Sequence, residues 1–389
     1  MLWLSARDDV SSFRRRGAAY TEAVMGTAER GLAARRELDW LCGQGIGWAA
    51  LADQATAVIS RVVPYERFCF HRVDPETLLL TGSMARNLGP PSSYRRVIQN
   101  EYEQDDVNKW SSLATAAVPV ASIVTATAGR RERSARFQDI LRPLGLSWEL
   151  RAAFVSDRRC WGYAGIYRSD GERDFAPEET AFLASVSGML GTGFRRALLV
   201  GELSAAERAQ DGPGLVLLDA RDEPLQVNLS AARLIEEMAG DGDAEMGWVP
   251  VYAVATRTRF AGGLEAHSRV RTPAGRWLTL HGTLLYSGGQ TAVIIQPARP
   301  DEVAPLLLAS YGLTRRECDV TGLLLRGRST AEICLELGIS PHTVQDHLKA
   351  IFEKTRVRSR RELVSRVFLE DHLPRIAAGE TVGADGAFA

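Results

Sequence analysis

Four short helices are predicted in the stretch LTRRECDVTGLLLRGRSTAEICLELGISPHTVQDHLKAIFEKTRVRSRRELVSRVF, residues 313–368. Thr314 and Ser329 are each followed three residues later by a glutamate, which is the pattern of a capping box at a helix start. Ser340 followed by Pro341 starts a third helix. The second and third helices are joined by Gly-Ile-Ser, a short turn that contains glycine. This arrangement is typical of a helix-turn-helix unit.

The third predicted helix has one apolar face and one polar face. The apolar residues recur at helical spacing and are Val344, Leu348, Ile351 and Phe352. The polar residues on the other face are His342, Gln345, Asp346, Lys349 and Glu353. Seven basic residues oppose two acidic ones between positions 349 and 366, and Arg358 is one of the seven. A helix that is anchored by its apolar face can enter the major groove of DNA, and the basic residues that follow it can contact the phosphates on either side.

The motifs of this stretch match a known family along most of its length. The matching positions are Leu313, Thr314, Arg316, Glu317, Gly327, Glu332, Ile333, Leu337, Gly338, Ile339, Ser340, Thr343, Val344, His347, Ile351, Lys354, Val357, Ser359, Arg360, Glu362 and Leu363. With these residues, the stretch resembles the LuxR-type (NarL/FixJ-type) DNA-binding domain. We therefore expect such a domain over residues 306–372.

The resemblance implies a role for each polar residue of the third helix. Gln345, Asp346 and Lys349 would face the bases. The residues expected along the DNA backbone are Thr343, Val344, His347 and Lys354. The fourth helix, with Leu363, Val367 and Phe368, would pair two copies on a two-fold DNA site. Two positions depart from the family pattern: Gln345 replaces a residue that is often basic, and Thr355 replaces one that is commonly apolar.

Composition excludes several classes of protein. The net charge is −1 and the hydrophobic content 45%, and no apolar run is long enough to span a membrane, so we expect a cytoplasmic protein. The chain has only three lysines, and none follows a glycine, which excludes a GxxxxGK phosphate loop. The five cysteines form no CxxC pair. Cys69 and His71 would share one face of a strand, but two residues do not make a metal site, so no metal or cofactor is expected.

Residues 41–200 are predicted to form a sheet flanked by helices, preceded by a helical segment at 1–40. Two stretches, 65–84 and 149–171, read as strand, turn and strand, which indicates hairpins. A helix follows over 178–209, opened by Pro177 and two glutamates. The chain here resembles a GAF domain, above all in CWGYAGIYRSDGERDFAPEETAFLASVSGML, residues 160–190.

The helix at 178–209 allows two interpretations. Phe182, Val186, Met189 and Gly193 recur at alternating steps of four and three residues, which fits a dimer seam. Arg196 interrupts the series, so the stripe could equally pack against its own domain.

Residues 212–298 are predicted to form a second sheet domain. The order is two strands around a turn at 221–223, a helix that Ser230 would cap, and three strands at 264–271, 277–285 and 291–296. This order, with Asp219 and Asn228, resembles a PAS domain. Prolines at 297, 300 and 305 indicate a connector, and the polar tail at 373–389 is expected to be disordered. The fold class is therefore multidomain α+β with an all-α C-terminal domain.

We expect a transcriptional regulator whose sensor domains respond to a small molecule or partner and control a homodimer on promoter DNA. The residues of a candidate apolar pocket are Phe68, Phe70, Trp110, Trp148, Phe154 and Tyr163. RNA polymerase is a further expected partner. The alternative is a signalling scaffold that binds only a partner protein. No catalytic constellation appears in the sequence, so an enzyme is not expected.

Overall fold

The computed structural model describes residues 29–86, 88, 92–200, 212–241, 243–260, 265–285 and 289–364. It contains two five-stranded antiparallel sheets and a C-terminal helical unit. The predicted segment 1–40 is described only from residue 29. The tail at 373–389, Val367 and Phe368 lie outside the described residues. No described helix is both long and apolar enough to cross a membrane.

The first sheet unit, residues 29–200, is built on sheet A. Its strands are β1 (Arg67–Val73), β2 (Leu80–Arg86), β3 (Val120–Ser122), β4 (Leu146–Ser156) and β5 (Arg159–Ser169), in the order β2-β1-β5-β4-β3. Its helices are α1 (29–43), α2 (Trp48–Ser60), α3 (Ser92–Tyr102), α4 (Trp110–Leu113), α5 (Ile123–Ala126) and α6 (Pro177–Ala197). Both predicted hairpins are present, as β1–β2 and β4–β5.

The β4–β5 hairpin turns through Asp157 and Arg158, whose φ angles are 51° and 62°. Positive φ at both positions is what a tight two-residue turn needs in order to follow the right-handed twist of the strands.

The two faces of sheet A bury different side chains because strand residues alternate. Phe68 and Phe70 of β1 belong to the core formed with α2 and α6. Cys69 belongs to the core on the opposite face, where the His71 ring lies 4.7 Å from that of Trp110.

A cluster of four charged residues, the buried ion cluster, holds the segment between β2 and β4 against the sheet. Glu149 of β4 accepts hydrogen bonds from Arg136 (2.7 Å) and from Arg151 (3.1 Å). Arg151 also donates to Glu101 of α3 at 2.9 Å, and Glu101 accepts the N–H of Trp110 at the start of α4. Burial would raise the pKa of Glu149, but the two guanidinium groups outweigh it and hold the pKa below its usual range.

Helix α6 ends at Ala197, and its apolar stripe packs within its own unit. Phe182 and Val186 lie in the core between α6, α2 and sheet A. Gly193 lies so close to α1 that a Cβ there would be 2.6 Å from Sγ of Cys42. Of the two interpretations of this stripe, packing against its own domain is the one observed.

The second sheet unit, residues 212–297, is built on sheet B. Its strands are β6 (Gly214–Leu218), β7 (Pro224–Val227), β8 (Ala266–Arg271), β9 (Trp277–Leu284) and β10 (Thr291–Pro297), in the order β7-β6-β10-β9-β8. Its α-helices are α7 (Leu229–Ala239) and α8 (Val249–Phe260). Counted within its own unit, sheet B has the same strand order as sheet A.

Three features of this region differ from the sequence prediction. Asn228, and not Ser230, caps α7 by accepting the N–H of Ala231 at 2.8 Å, because the helix begins two residues earlier than expected. Helix α8 was not predicted; it is buried on nearly all sides, so it has no periodic pattern. The expected connector is instead a helix, α9 (Pro300–Ser310), because Pro300 stands in its first turn, where no N–H is required.

Helix α9 joins the three units. Val303 and Leu306 pack into the core of the first sheet unit together with Trp277 of β9. Leu308, on the other side of α9, packs into the core of the C-terminal helical unit.

Arg269 of β8 fastens the second sheet unit to the first sheet unit and to α9. It donates to both carboxylate oxygens of Asp74, in the β1–β2 turn, at 2.8 and 2.7 Å. A third bond, of 3.1 Å, runs to the carbonyl oxygen of Glu302 on α9. Arg269 and Asp74 are both buried.

The C-terminal helical unit has the four helices that the sequence predicts. They are α10 (Arg315–Leu325), α11 (Thr330–Leu337), α12 (Pro341–Thr355) and α13 (Arg360–Val364). Their core is made mainly by Val320, Ile333, Val344, Leu348 and Ile351.

The buried ion cluster yields a stability prediction. Glu149→Gln keeps the side-chain shape but leaves two buried guanidinium groups facing a neutral amide. We expect it to lower the free energy of unfolding by about 3–5 kcal/mol. Urea denaturation followed by near-ultraviolet circular dichroism measures the loss.

The matched control for this prediction is Arg61→Gln, which removes the exposed Arg61–Glu37 ion pair. An exposed pair contributes about 0.2–1 kcal/mol. Equal losses in the two variants would contradict the role assigned to the cluster.

Candidate nucleic-acid interface

Side-chain caps set the starts of the first three helices of the C-terminal unit. Thr314 and Glu317 form one capping box, and Ser329 and Glu332 form a second, both as predicted. Ser340 accepts the N–H of Thr343 at 3.1 Å and so caps α12. Gly338 ends α11 with a φ of 63°, in the left-handed region. The turn from α11 into α12 is therefore set by local chemistry.

The predicted apolar stripe of α12 faces the core. Val344 and Ile351 are fully buried and Leu348 is 3% exposed, while Phe352 is half-buried. Thr355, at a position that is commonly apolar, is also buried. Its hydroxyl donates to the carbonyl oxygen of Ile351 at 2.7 Å, so the polar atom has a partner and the packing is kept.

The residues predicted to meet bases lie on the opposite, solvent-facing side. Gln345, Asp346 and Lys349 are all exposed. His342 lies beside them, with its Nδ1 3.3 Å from Oδ2 of Asp346. His342 was predicted on this face without an assigned role. The spacing of four residues is the signal that pairs it with Asp346.

The residues predicted along the DNA backbone differ in their surroundings. Thr343 and His347 are half-buried, and Arg358 is exposed. The side chain of Val344 is fully buried in the core of the unit. Lys354 is engaged within the protein, because its Nζ lies 2.9 and 2.7 Å from the two carboxylate oxygens of Glu317.

The Lys354–Glu317 pair links the end of α12 to the start of α10. Burial would raise the pKa of Glu317, but the hydrogen bonds from Lys354 and Thr314 outweigh it and hold the pKa below its usual range. The positive charge of Lys354 is therefore largely balanced inside the unit.

Exposed positive charge follows α12 directly. Arg356, with a φ of 54°, ends the helix, and it is exposed together with Arg358 and Arg361. Arg360 is half-buried and donates to Oγ1 of Thr330 on α11 at 2.6 Å. Three arginines thus remain at this end of the polar face for a polyanion.

The six residues of the candidate apolar pocket do not line one cavity. Phe68, Phe70 and Phe154 lie in the core beside α2 and α6, and Trp148 packs at its border. Trp110 and Tyr163 stack on each other on the opposite face of sheet A, with ring centroids 5.4 Å apart. The six residues come from both faces of sheet A, because the four on β1 and β4 share one face while Trp110 of α4 and Tyr163 of β5 lie on the other.

No metal centre appears in the part of the chain that the structure describes, since no three His, Cys, Asp or Glu residues there could hold an ion together.

Comparison with known proteins assigns the C-terminal unit. Residues 311–367 match the family model described as bacterial regulatory proteins, luxR family. The monoamine regulon transcriptional regulator of Klebsiella aerogenes is 44% identical over 57 residues, which are 15% of this chain and 25% of the relative. A putative HTH-type transcriptional regulator in the exeN 3' region of Aeromonas salmonicida is 43% identical over 76 residues, 19% of this chain and 38% of the relative. The C-terminal unit is therefore a LuxR-type helix-turn-helix domain, and this chain spans well under half of the length of either relative.

Solved structures resemble the chain more distantly. The phage VqmA–DPO complex is 21% identical over 41% of this chain and 81% of that chain, with a TM-score of 0.23. The Vibrio cholerae VqmA dimer is 20% identical over 41% of this chain and 83% of that chain, with a TM-score of 0.20. These scores carry no conclusion about the arrangement of the whole chain.

The Lys354–Glu317 pair yields a pH prediction. The pKa of Glu317 is lower in the folded protein than in the unfolded chain, so its stabilising contribution is present above about pH 4.3 and is lost as the pH falls through the folded pKa. We expect Lys354→Met to lower the free energy of unfolding by about 1–2 kcal/mol near neutral pH. The difference from the unmodified protein should shrink in acid.

Urea titrations of this unit at neutral and acidic pH measure the effect. Lys349→Met removes a lysine from the same helix and should change stability by less than about 0.5 kcal/mol. A Lys354→Met effect that stays constant down to acidic pH would argue against the pairing.

Proposed function

We propose that this protein is a transcriptional regulator that binds specific double-stranded DNA through α12. The observation that carries the proposal is the two-sided construction of α12: three apolar residues are buried, and Gln345, Asp346 and Lys349 stand exposed on the other side. The match of residues 311–367 to the luxR family model supports it. A helix of this kind can lie in the major groove, where each base pair shows a distinct pattern of donors and acceptors.

Within this proposal the polar residues of α12 have separate roles. Gln345 would pair with adenine and Lys349 with guanine, while Asp346 would accept from the amino group of cytosine. Arg356, Arg358 and Arg361 would neutralise phosphates. Lys354 acts indirectly, by holding α12 against α10 through Glu317. This differs from the phosphate contact that the family resemblance implies for Lys354.

The two sheet units are proposed to be the sensors, the first GAF-like and the second PAS-like. Support comes from their common strand order and from the predicted hairpins, which are present in sheet A. Helix α9 packs against both the first unit and the helix-turn-helix unit, so it offers a physical route from signal to DNA. We propose that the active form is a homodimer on a two-fold site and that it engages RNA polymerase. In the alternative, the sheet units respond to a partner protein and bind no small molecule.

DNA affinity measured over a range of salt concentrations tests the proposal. Binding of the full chain to its own promoter region should weaken steeply as salt rises, because phosphate contacts release counterions. Affinity that does not change with salt would exclude the proposed mode.

Two variants separate base reading from phosphate binding. Lys349→Ala should weaken the specific site by about 1–3 kcal/mol and leave other sequences nearly unaffected. Arg358→Ala should weaken all sequences alike and reduce the salt slope by about one. Arg133→Ala, an exposed arginine of the first sheet unit, makes the same charge change away from α12 and should leave binding unchanged. Identical behaviour of Lys349→Ala and Arg358→Ala would overturn the assignment of faces.

A further inference from the structure

A cavity lies in the first sheet unit on the face of sheet A opposite α2 and α6. Its floor includes Cys69 and His71 of β1 and Tyr167 of β5, and α3 covers it with Tyr94 and Val97. Leu144 lies at its border. The space between the lining side chains amounts to about 390 Å³, part of it open to solvent, and about 30 Å³ is wide enough for a water-sized molecule. The enclosed part is therefore no larger than about two water molecules, and a ring-sized ligand would also occupy the part that is open to solvent.

One polar atom in this lining has no partner in the part of the chain that the structure describes. His71 is 5% exposed, and its Nδ1 lies 2.7 Å from Oγ of Ser83. Its other ring nitrogen, Nε2, is buried without a hydrogen bond. A buried polar atom without a partner destabilises the protein, so a ligand that supplies the missing bond gains from it.

The lining is uncharged near neutral pH. Burial, together with the nearby charge of Arg151, lowers the pKa of His71 to about 3, so the ring is neutral. Burial raises the pKa of Cys69 to about 11, and burial with nearby acidic groups raises that of Tyr94 to about 12. The pKa of Tyr167 is raised well above its usual value by burial first of all. The remaining lining residues are aliphatic, so an ionised ligand would lose its hydration and find no counter-charge.

We infer that this cavity binds an uncharged, mostly apolar small molecule whose single hydrogen-bonding group meets Nε2 of His71. Binding itself does not depend on the proposed function. The inference rests on that function only in taking the bound ligand to be the signal that the regulator senses.

The helix that covers the cavity also holds the second sheet unit. On one side of α3, Tyr94 and Val97 face the cavity. On the other side, Arg95 pairs with Glu223, and Gln99 donates to Asp222 at 3.2 Å. Just beyond α3, Glu103 pairs with Arg259 of α8 at 2.5 Å. A ligand that moves α3 therefore acts directly on the contact between the two sheet units.

Three fluorinated probes of nearly equal size test the ligand class on the full chain. We expect 4-fluorophenol to bind as measured by 19F NMR. The analogue 4-fluorotoluene, which lacks the hydrogen bond, should bind about 3–10-fold more weakly. The anion 4-fluorobenzoate should bind more than about tenfold more weakly. Absence of 4-fluorophenol binding to the folded chain, or equal affinity for the anion, would overturn the inference.

Variants locate the binding site. Leu144→Trp fills the cavity from its border and should abolish 4-fluorophenol binding, whereas Leu32→Trp adds the same bulk on the exposed surface of α1 and should leave it intact.

His71→Phe keeps an aromatic ring against Trp110 and should lower 4-fluorophenol affinity to the level of 4-fluorotoluene. Ser83→Ala removes the other hydrogen bond of His71 and should keep the preference for the phenol. Circular dichroism confirms that each variant is folded.

The outcomes distinguish this inference from the proposed function. Unchanged 4-fluorophenol binding by folded Leu144→Trp would overturn the cavity assignment and leave the DNA-binding proposal untouched. Conversely, the chain could bind the probes with the expected selectivity and yet not bind its promoter region. That result would support the assignment of the cavity and contradict the proposed function.

Discussion

The placement of α3 depends on a constraint imposed by β4, which carries Glu149 and Arg151 on one buried face. Two fully buried charged residues on a strand are stable there only because each is neutralised at hydrogen-bond distance. Their partners, Arg136 and Glu101, come from the segment between β2 and β4, which also buries Trp110 and Phe137 on this face of the sheet. The ion cluster adds a specific link between that segment and the sheet, and its Arg151–Glu101 pair joins α3 to β4. The roof of the cavity and the contact with the second sheet unit both follow from that placement.

The same kind of interaction recurs at the β1–β2 turn. Arg269 of β8 binds Asp74 in that turn and the carbonyl oxygen of Glu302 on α9, so one guanidinium group joins the first sheet unit, the second sheet unit and α9. Removing one partner of such a buried pair is strongly destabilising, which favours joint motion over separation. Helix α9 then divides its apolar residues between two cores, with Leu306 in one and Leu308 in the other. A rotation of α9 that improves one contact disturbs the other, which is the property a coupling element needs.

The elements that could be predicted from sequence are those whose signals are local. Capping boxes, a glycine turn and one apolar stripe give the helices of the C-terminal unit, and alternation with turn residues gives the hairpins. Helix α8 is buried on nearly all sides, so it does not show the periodicity on which such predictions depend. The candidate pocket combined residues from two faces of sheet A, since Phe68 and Phe70 lie on one face and Trp110 and Tyr163 on the other. Partners far apart in the sequence also could not be predicted. Nothing near Lys354 in the sequence indicates that its charge is matched by Glu317, 37 positions away.

That pairing changes how the recognition helix must work. With Lys354 bound to Glu317, the proposed binding mode takes the charge for the phosphates from Arg356, Arg358 and Arg361, which all follow Gln345, Asp346 and Lys349 in the sequence. The helix can then carry neutral and acidic side chains toward the bases without losing electrostatic attraction to the backbone. Asp346 remains usable for base recognition because His342 contacts only one of its oxygens, at 3.3 Å, which leaves the other to accept from cytosine. An acidic residue on the DNA face would repel phosphates if it were alone. Beside His342 and ahead of three arginines, Asp346 is proposed to act through the bases, where the amino group of cytosine is the donor that a carboxylate selects.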